Sequence, residues 1–215
     1  MELVSKKNRS EKEATLQRQD WIVAGLTVLL DEGVEAVQIA RLARELKVTR
    51  GSFYWHFEKR EDLLSALLDE WSARNTGKMV EILEEAQSLE QGILELFFIW
   101  VDHTHFNPDL DQAVRDWGRF DPAVREIFSG EDDDRIEAIA RFLRGQGFEE
   151  KEAFVRARII YFTQVSYFAL RVSETIEERV GYLSAYFLSF TGREINAGTA
   201  ERFRQRMLKW AQETS

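Results

Sequence analysis

Cysteine is absent from this sequence, which removes disulfides and cysteine–zinc sites and makes a reducing compartment the natural setting. Only two prolines occur in 215 residues, so little stands in the way of long helices. No apolar run approaches the roughly 18 residues that a membrane span needs. Residues 1–10 are polar and lack the apolar core of a signal peptide. The expectation is a soluble, cytoplasmic protein with no membrane partner. Catalytic signatures are missing as well: there is no nucleophile elbow, phosphate loop, metal triad or pair of catalytic carboxylates. With no cysteine and three scattered histidines, neither an enzyme nor a bound cofactor is expected.

What is present is enough apolar and aromatic material, 44% and 12% of residues, to build a real core, in one large domain or a small one joined to a medium one. Apolar positions recur at three- and four-residue spacing almost throughout, with no strand-like alternation, internal repeat or long low-complexity linker. The chain therefore reads as all-α. Helices are expected over about 15–31, from 38, over 50–56, from 59 to about 86 and over 92–105. Further ones end near 119, begin at Asp121-Pro122 with an interruption at 129–134, and cover 149–172, 175–190 and 199–212. The net charge of −9 argues at first against nucleic acid, but it is unevenly spread. Residues 1–60 hold 11 Lys+Arg against 9 Asp+Glu, while 61–215 hold 18 against 29. Phosphate would repel the acidic body and leave only the N-terminal face able to approach. Lys6, Lys7, Arg9 and Lys12 make residues 1–14 either a basic arm or a solvated tail.

The stretch 36–60, AVQIARLARELKVTRGSFYWHFEKR, reads as two short helices around a tight turn. Ile39, Leu42, Ala43 and Leu46 face inward, Val48 plugs the angle and Thr49 caps the helix that follows. Phe53 and Phe57, four residues apart, point to the core, which leaves Arg50, Gly51, Ser52, Tyr54 and Trp55 on the outer side. A helix N-terminus with free N–H groups beside a hydroxyl suits a phosphate oxygen. Gly51 lets the backbone come close to a duplex, and Arg50 is long enough to reach guanine O6 and N7. The pattern is that of a DNA-binding helix-turn-helix.

Residues 38–60, and VTRGSFYWHF at 48–57 above all, resemble the DNA-binding segment of the TetR family of bacterial transcriptional regulators over about the first 65 residues. The resemblance implies an N-terminal three-helix helix-turn-helix domain with its arm, residues 1–60, and a larger helical effector-binding and dimerisation domain, residues 61–215. It further implies a homodimer on a palindromic double-stranded operator, acting as a repressor and released by a small-molecule effector. An effector-independent protein of the same fold, architectural or engaged in division control, is the alternative. Gln38 falls where the family caps the second helix against a phosphate. Thr49, Tyr54 and His56 fall at phosphate-contacting or docking positions, and Arg50, Ser52 and Trp55 at groove-facing ones. Arg60 stands where the family usually has lysine. Lys47 replaces the glycine of the turn, at a cost on the order of 1 kcal/mol for a left-handed residue, and its charge could reach phosphate. Lys59 replaces a small capping residue, so a weak cap is expected there.

For the larger domain the expected effector lining is aromatic with sparse polar groups: Trp71, Phe98, Trp100, Asp102, His103, Phe106, Trp117, Tyr161, Gln164 and Tyr167. Such a lining suits a largely apolar ligand, although the same residues would serve equally as plain core. His103 and His105, two apart on an expected helix, point about 200° from each other and cannot share a metal ion. Residues 131–134 lack the spaced ligands of a calcium loop. Apolar residues surround the helices between about 155 and 190, which a small domain rarely buries alone. That is the expected dimer surface.

Overall fold

The computed structural model describes residues 16–214; the basic arm and the expected helix start at Thr15 lie outside them. Twelve α-helices and no strand occur among the described residues. No helix is long and apolar enough to cross a membrane. The chain divides into two compact units. One comprises the residues up to Ala73 together with Asp109–Phe128, and the other comprises Arg74–Pro108 and the residues from Ser129 onward.

The first unit holds α1 (Arg18–Glu32), a 3-10 turn (Val34–Ala36), α2 (Ile39–Glu45), α3 (Arg50–Phe53), α4 (Arg60–Ser72) and α7 (Pro108–Gly118). The expected boundary at residue 60 is displaced for a packing reason. Leu63, Leu64, Leu67, Leu68 and Trp71 of α4 sit in one core with Trp21, Phe53, Leu110, Val114 and Trp117. Trp71 donates from Nε1 to Asp111 Oδ1 at 3.0 Å, and Asp111 in turn accepts from Arg115 Nε at 3.1 Å. Trp71 and Trp117, both expected in an effector pocket, are thus core residues of this unit.

The second unit contains a π-turn (Ala73–Gly77), which precedes α5 (Lys78–Glu85), α6 (Leu89–Ile99), α9 (Glu150–Ala169), α10 (Ile176–Gly181), α11 (Leu183–Thr191) and α12 (Ala197–Thr214). The helix α8 (Pro122–Gly145) is continuous, against the expected break at 129–134. Its acidic run is anchored rather than disruptive. Asp132 accepts from Tyr161 Oη at 2.5 Å and lies 3.9 Å from Arg135 one turn on. Arg135 is fully buried and donates to Thr76 Oγ1 at 2.8 Å and Tyr161 Oη at 3.0 Å. A buried cation satisfied in this way is tolerated where an unpaired one would not be. Tyr161 therefore serves the core, not a pocket.

Two helix ends carry functional consequences. At the end of α2, Val48 N–H bonds to Ala43 O at 2.9 Å and Lys47 N–H to Arg44 O at 3.2 Å, the paired bonds of a Schellman turn. Lys47 takes the left-handed conformation there, with φ 60°. At the start of α4, the expected weak cap is strengthened from within the helix: Asp62 Oδ2 accepts from the N–H groups of both Glu58 and Lys59 at 3.1 Å.

Replacing Lys47 with glycine removes left-handed strain of about 1–2 kcal/mol and restores chain entropy costing about 0.5–1 kcal/mol. Lys47→Gly is accordingly expected to raise the melting temperature by roughly 2–4 °C. A fall in thermal unfolding temperature would show that the lysine side chain contributes more than the strain.

Candidate nucleic-acid interface

A helix of four residues cannot hold itself together, because nucleation costs more than its few hydrogen bonds return. α3 is instead fixed by its own buried side. Phe53 is fully buried, edge-on to Trp21 at 5.2 Å and stacked on Phe57 at 5.3 Å. Arg18 lies over the Phe57 ring at 4.9 Å. Arg60 locks the next corner, donating from Nε to Val37 O at 2.6 Å and from Nη2 to Val34 O at 2.7 Å. Its role is to clamp the start of α4 to the turn before α2, so its guanidinium faces protein carbonyls rather than a phosphate.

The outward side then follows from periodicity. Trp55 is 87% exposed and Tyr54 60%, the latter braced edge-on against Phe53 at 5.5 Å. Gln38, Lys47, Thr49, Arg50 and Gly51 are exposed as well, and His56 is half-buried. Ser52 is the exception. It is buried next to Phe53, so it belongs to the inward side of the helix and not to the groove-facing side expected of it. Gln38 occupies the N-cap position of α2 but donates its amide to Glu35 O at 2.9 Å, which leaves its side-chain oxygen outside any cap bond.

Charge on this face is selective. Arg41 is held by Glu32, with Nη1 to Oε2 at 2.7 Å, and by Glu45 at 2.8 Å. The guanidinium keeps the Glu32 carboxyl below the usual carboxylate range. Arg41 is thereby neutralised, whereas Arg44, Lys47 and Arg50 stand exposed around the turn. Arg44 was not evident from the sequence as a member of this face. Only its place in the last turn of a short helix beside the motif could have signalled it.

Gly51 is informative because the fold does not demand it. Its backbone is not left-handed, and an added Cβ would touch only Thr49 Oγ1, at an ordinary 3.5 Å. The space it leaves open faces outward.

A short helix with a packed aromatic side and an exposed cationic and aromatic side, set behind a tight turn from a supporting helix, defines the class: a helix-turn-helix DNA-binding protein. The comparisons with known proteins agree. Residues 22–67 match the model for bacterial regulatory proteins of the tetR family. The regulator AcrR of Shigella flexneri is 32% identical over 71 residues, 33% of each chain, and the regulator SrpR of Pseudomonas putida is 38% identical over 65 residues, 30% of each. The matched part of this chain thus spans about a third of the length of those relatives. The tetracycline repressor class C of Escherichia coli is 25% identical over 185 residues, 77% of this chain and 71% of that protein. A TetR-family regulator from Marinobacter aquaeolei shares the fold at a TM-score of 0.59 and 17% identity, covering 91% of this chain and 99% of that one. Residues 22–67 thus carry the DNA-binding segment of the tetR family, and the relatives matched over it are named as transcriptional regulators.

In the second unit the expected effector residues are dispersed. Trp100, Gln164 and Tyr167 line one small cavity. Phe98 lies under Arg206 at 4.3 Å and beside Trp210 at 5.8 Å. Phe106 is buried and stacked on Phe168 at 5.9 Å. Asp102 is buried and closes a turn, accepting from the Thr104 N–H and hydroxyl at 3.1 and 2.8 Å. His103 is exposed, and its carbonyl takes Arg74 Nη2 at 2.9 Å. His103 and His105 lie in a turn after α6 has ended at Ile99, so the helical geometry expected for them does not apply. Among the described residues no cluster of three or more potential metal ligands forms.

Because the protein itself leaves room at position 51, Gly51→Ala should leave thermal stability unchanged or raise it by up to about 1 kcal/mol. The same change should weaken DNA binding by holding the backbone away from the duplex. Equal affinity in fluorescence anisotropy would mean that the α3 backbone does not approach DNA closely.

Proposed function

We propose that the protein is a cytoplasmic repressor that binds a palindromic operator as a homodimer and leaves it when a small molecule occupies the second unit. The observation that carries the DNA-binding surface is the outward side of α3: Arg50, Tyr54 and an 87% exposed Trp55 beside an unneeded glycine. Exposed tryptophan beside an arginine serves no packing purpose, and both suit a groove and its phosphates. Arg50 reads base edges, while Lys47, Thr49, Tyr54 and Gln38 seat the helix on the backbone, with His56 beside them. The printed name of the tetracycline repressor, similar along most of this chain, supports the sense of regulation.

The second unit supports the dimer. α9 turns Ala153, Ala157, Ile160 and Tyr161 inward, yet Val155, Ile159 and Phe162 form a second stripe that is 44–54% exposed. A groove of about 650 Å³ runs along this side to Leu170 and Val172. α11, packed beside α9, adds Leu188 at 46% exposure, and Tyr182 just before it is 50% exposed. Two such helices from each of two subunits make a four-helix bundle that covers both stripes.

A second reading is favoured by one observation. Two enclosed spaces among the described residues of the second unit hold only about 30 and 20 Å³, as the solid core of an effector-independent protein would.

Selection of bound duplexes from a random pool supplies the operator. On that sequence Arg50→Ala should lose about 1–3 kcal/mol, roughly 5- to 150-fold, and relax specificity. Tyr54→Ala should weaken binding to all sequences alike. Unchanged binding by both variants would reassign the surface. Sedimentation should show a dimer at micromolar concentration and a monomer for the double variant Ile159→Asp, Phe162→Asp. A monomeric wild-type protein would remove the dimer.

A further inference from the structure

We propose that the cavity walled by α6, α9, α10 and α11 binds a flat aromatic ligand carrying a carbonyl or carboxylate acceptor, received by Trp100, Gln164 and Arg179. This rests on the reading of the second unit as the part that answers a small molecule. It adds where the ligand sits and which polar group it must present.

Two buried donors in the lining go unmet by the protein. Trp100 is 4% exposed and Gln164 9%, and among the described residues neither Trp100 Nε1 nor Gln164 Nε2 has a hydrogen-bond partner. Both residues line the same cavity. Leaving a buried donor unmade is costly, and two beside one space are better explained by an acceptor that arrives from outside. Arg179 is the third donor. Its guanidinium lies 4.3 Å above the Tyr167 ring and 5.7 Å from that of Phe97, with no hydrogen bond or ion pair among the described residues. Burial lowers its pKa, so its charge has been partly stripped of water.

The carboxylate in the lining, Glu174, is engaged with a neighbouring phenol. Glu174 accepts a hydrogen bond from the Tyr167 hydroxyl, and burial together with that bond pushes the phenol up to about 12. Tyr167 therefore stays a neutral donor directed at Glu174. The remaining walls, including Phe97, Ile160 and Phe190, are apolar and suit an aromatic body.

The cavity is smaller than such a ligand. Its space of about 30 Å³ adjoins a second of about 20 Å³ that shares Phe97, Trp100, Ile160, Tyr186 and Phe190. Tyr186 and Phe190, four apart on the nine-residue α11 and with rings 5.5 Å apart, are half-buried. Ligand entry displaces these two rings and joins the spaces.

The test uses the full-length protein without DNA and three probes of one shape: 1-naphthoate, 1-acetylnaphthalene and 1-methylnaphthalene. In titration calorimetry at least one acceptor-bearing probe should bind tenfold or more tightly than 1-methylnaphthalene. The naphthoate-to-ketone ratio then tells which acceptor is preferred. Gln164→Leu should erase most of that margin and, without ligand, raise the melting temperature by a few degrees, because it removes an unmet donor. Arg179→Gln should cut naphthoate affinity more than that of the ketone. A lower melting temperature for Gln164→Leu would mean that Gln164 is satisfied in the free protein, and the proposal falls. Equal binding of all three probes, or of none, overturns it too, while the DNA-binding reading stands. Adding the tightest probe to the operator complex then tests the effector role: release supports it, and an intact complex removes that role but keeps the site.

Discussion

Burial of Phe53 between Trp21 and Phe57 is the constraint on which the DNA-binding unit depends. α3 has only four residues, and nothing in its own hydrogen bonding would keep it helical. One aromatic side chain, edge-on to α1 and stacked on the residue that leaves the helix, turns a marginal segment into a rigid one. Every outward residue inherits its direction from that contact. The Schellman turn at Lys47 sets where α3 begins, and the Arg60 clamp on Val34 and Val37 fixes the corner beyond it. The exposed side of α3 is therefore placed by three local devices.

The second unit applies the opposite economy. Its fully buried cation, Arg135, donates to Thr76 and Tyr161 and lies 3.9 Å from Asp132. Where donors stay unmet, at Trp100 and Gln164, the surroundings are aromatic and the enclosed space is small. The contrast is between a cation that ties α8 to its neighbours and two side-chain donors that tie nothing.

Legibility in the sequence followed the range of the forces involved. The helix-turn-helix, the inward Phe53 and Phe57, the exposed Tyr54 and Trp55 and the left-handed Lys47 could all be read, because each depends on spacing within a few residues. Ser52 could not. In so short a helix the inward arc takes in two consecutive positions, and only the packing against α1 shows which. Trp71 and Trp117 looked like pocket residues by type, but membership of a core is decided by which helices return to which unit, and α7 returns to the first. The acidic run at 131–134 read as a break because its partners, Arg135 and Tyr161, could not be joined to it without the fold. Arg179 gave no signal at all, since its two rings, Tyr167 and Phe97, lie 12 and 82 positions away in the chain.

Charge then limits how the DNA surface can work. The N-terminal 60 residues are barely basic, and part of that charge is already committed: Arg41 to Glu32 and Glu45, Arg60 to backbone carbonyls, Arg18 to the face of Phe57. Around the turn Arg44, Lys47 and Arg50 remain exposed. So small a net charge attracts phosphate weakly, and an acidic remainder opposes the approach. Non-specific attraction to phosphate is thus a weak resource for one subunit. Affinity has to come from accurate placement of a handful of contacts, and from having two such helices on one particle, where the second binds at the high effective concentration set by the first. The physical case for the proposed dimer therefore arises twice, from the apolar stripe of α9 and from the shortage of free positive charge on α2 and α3.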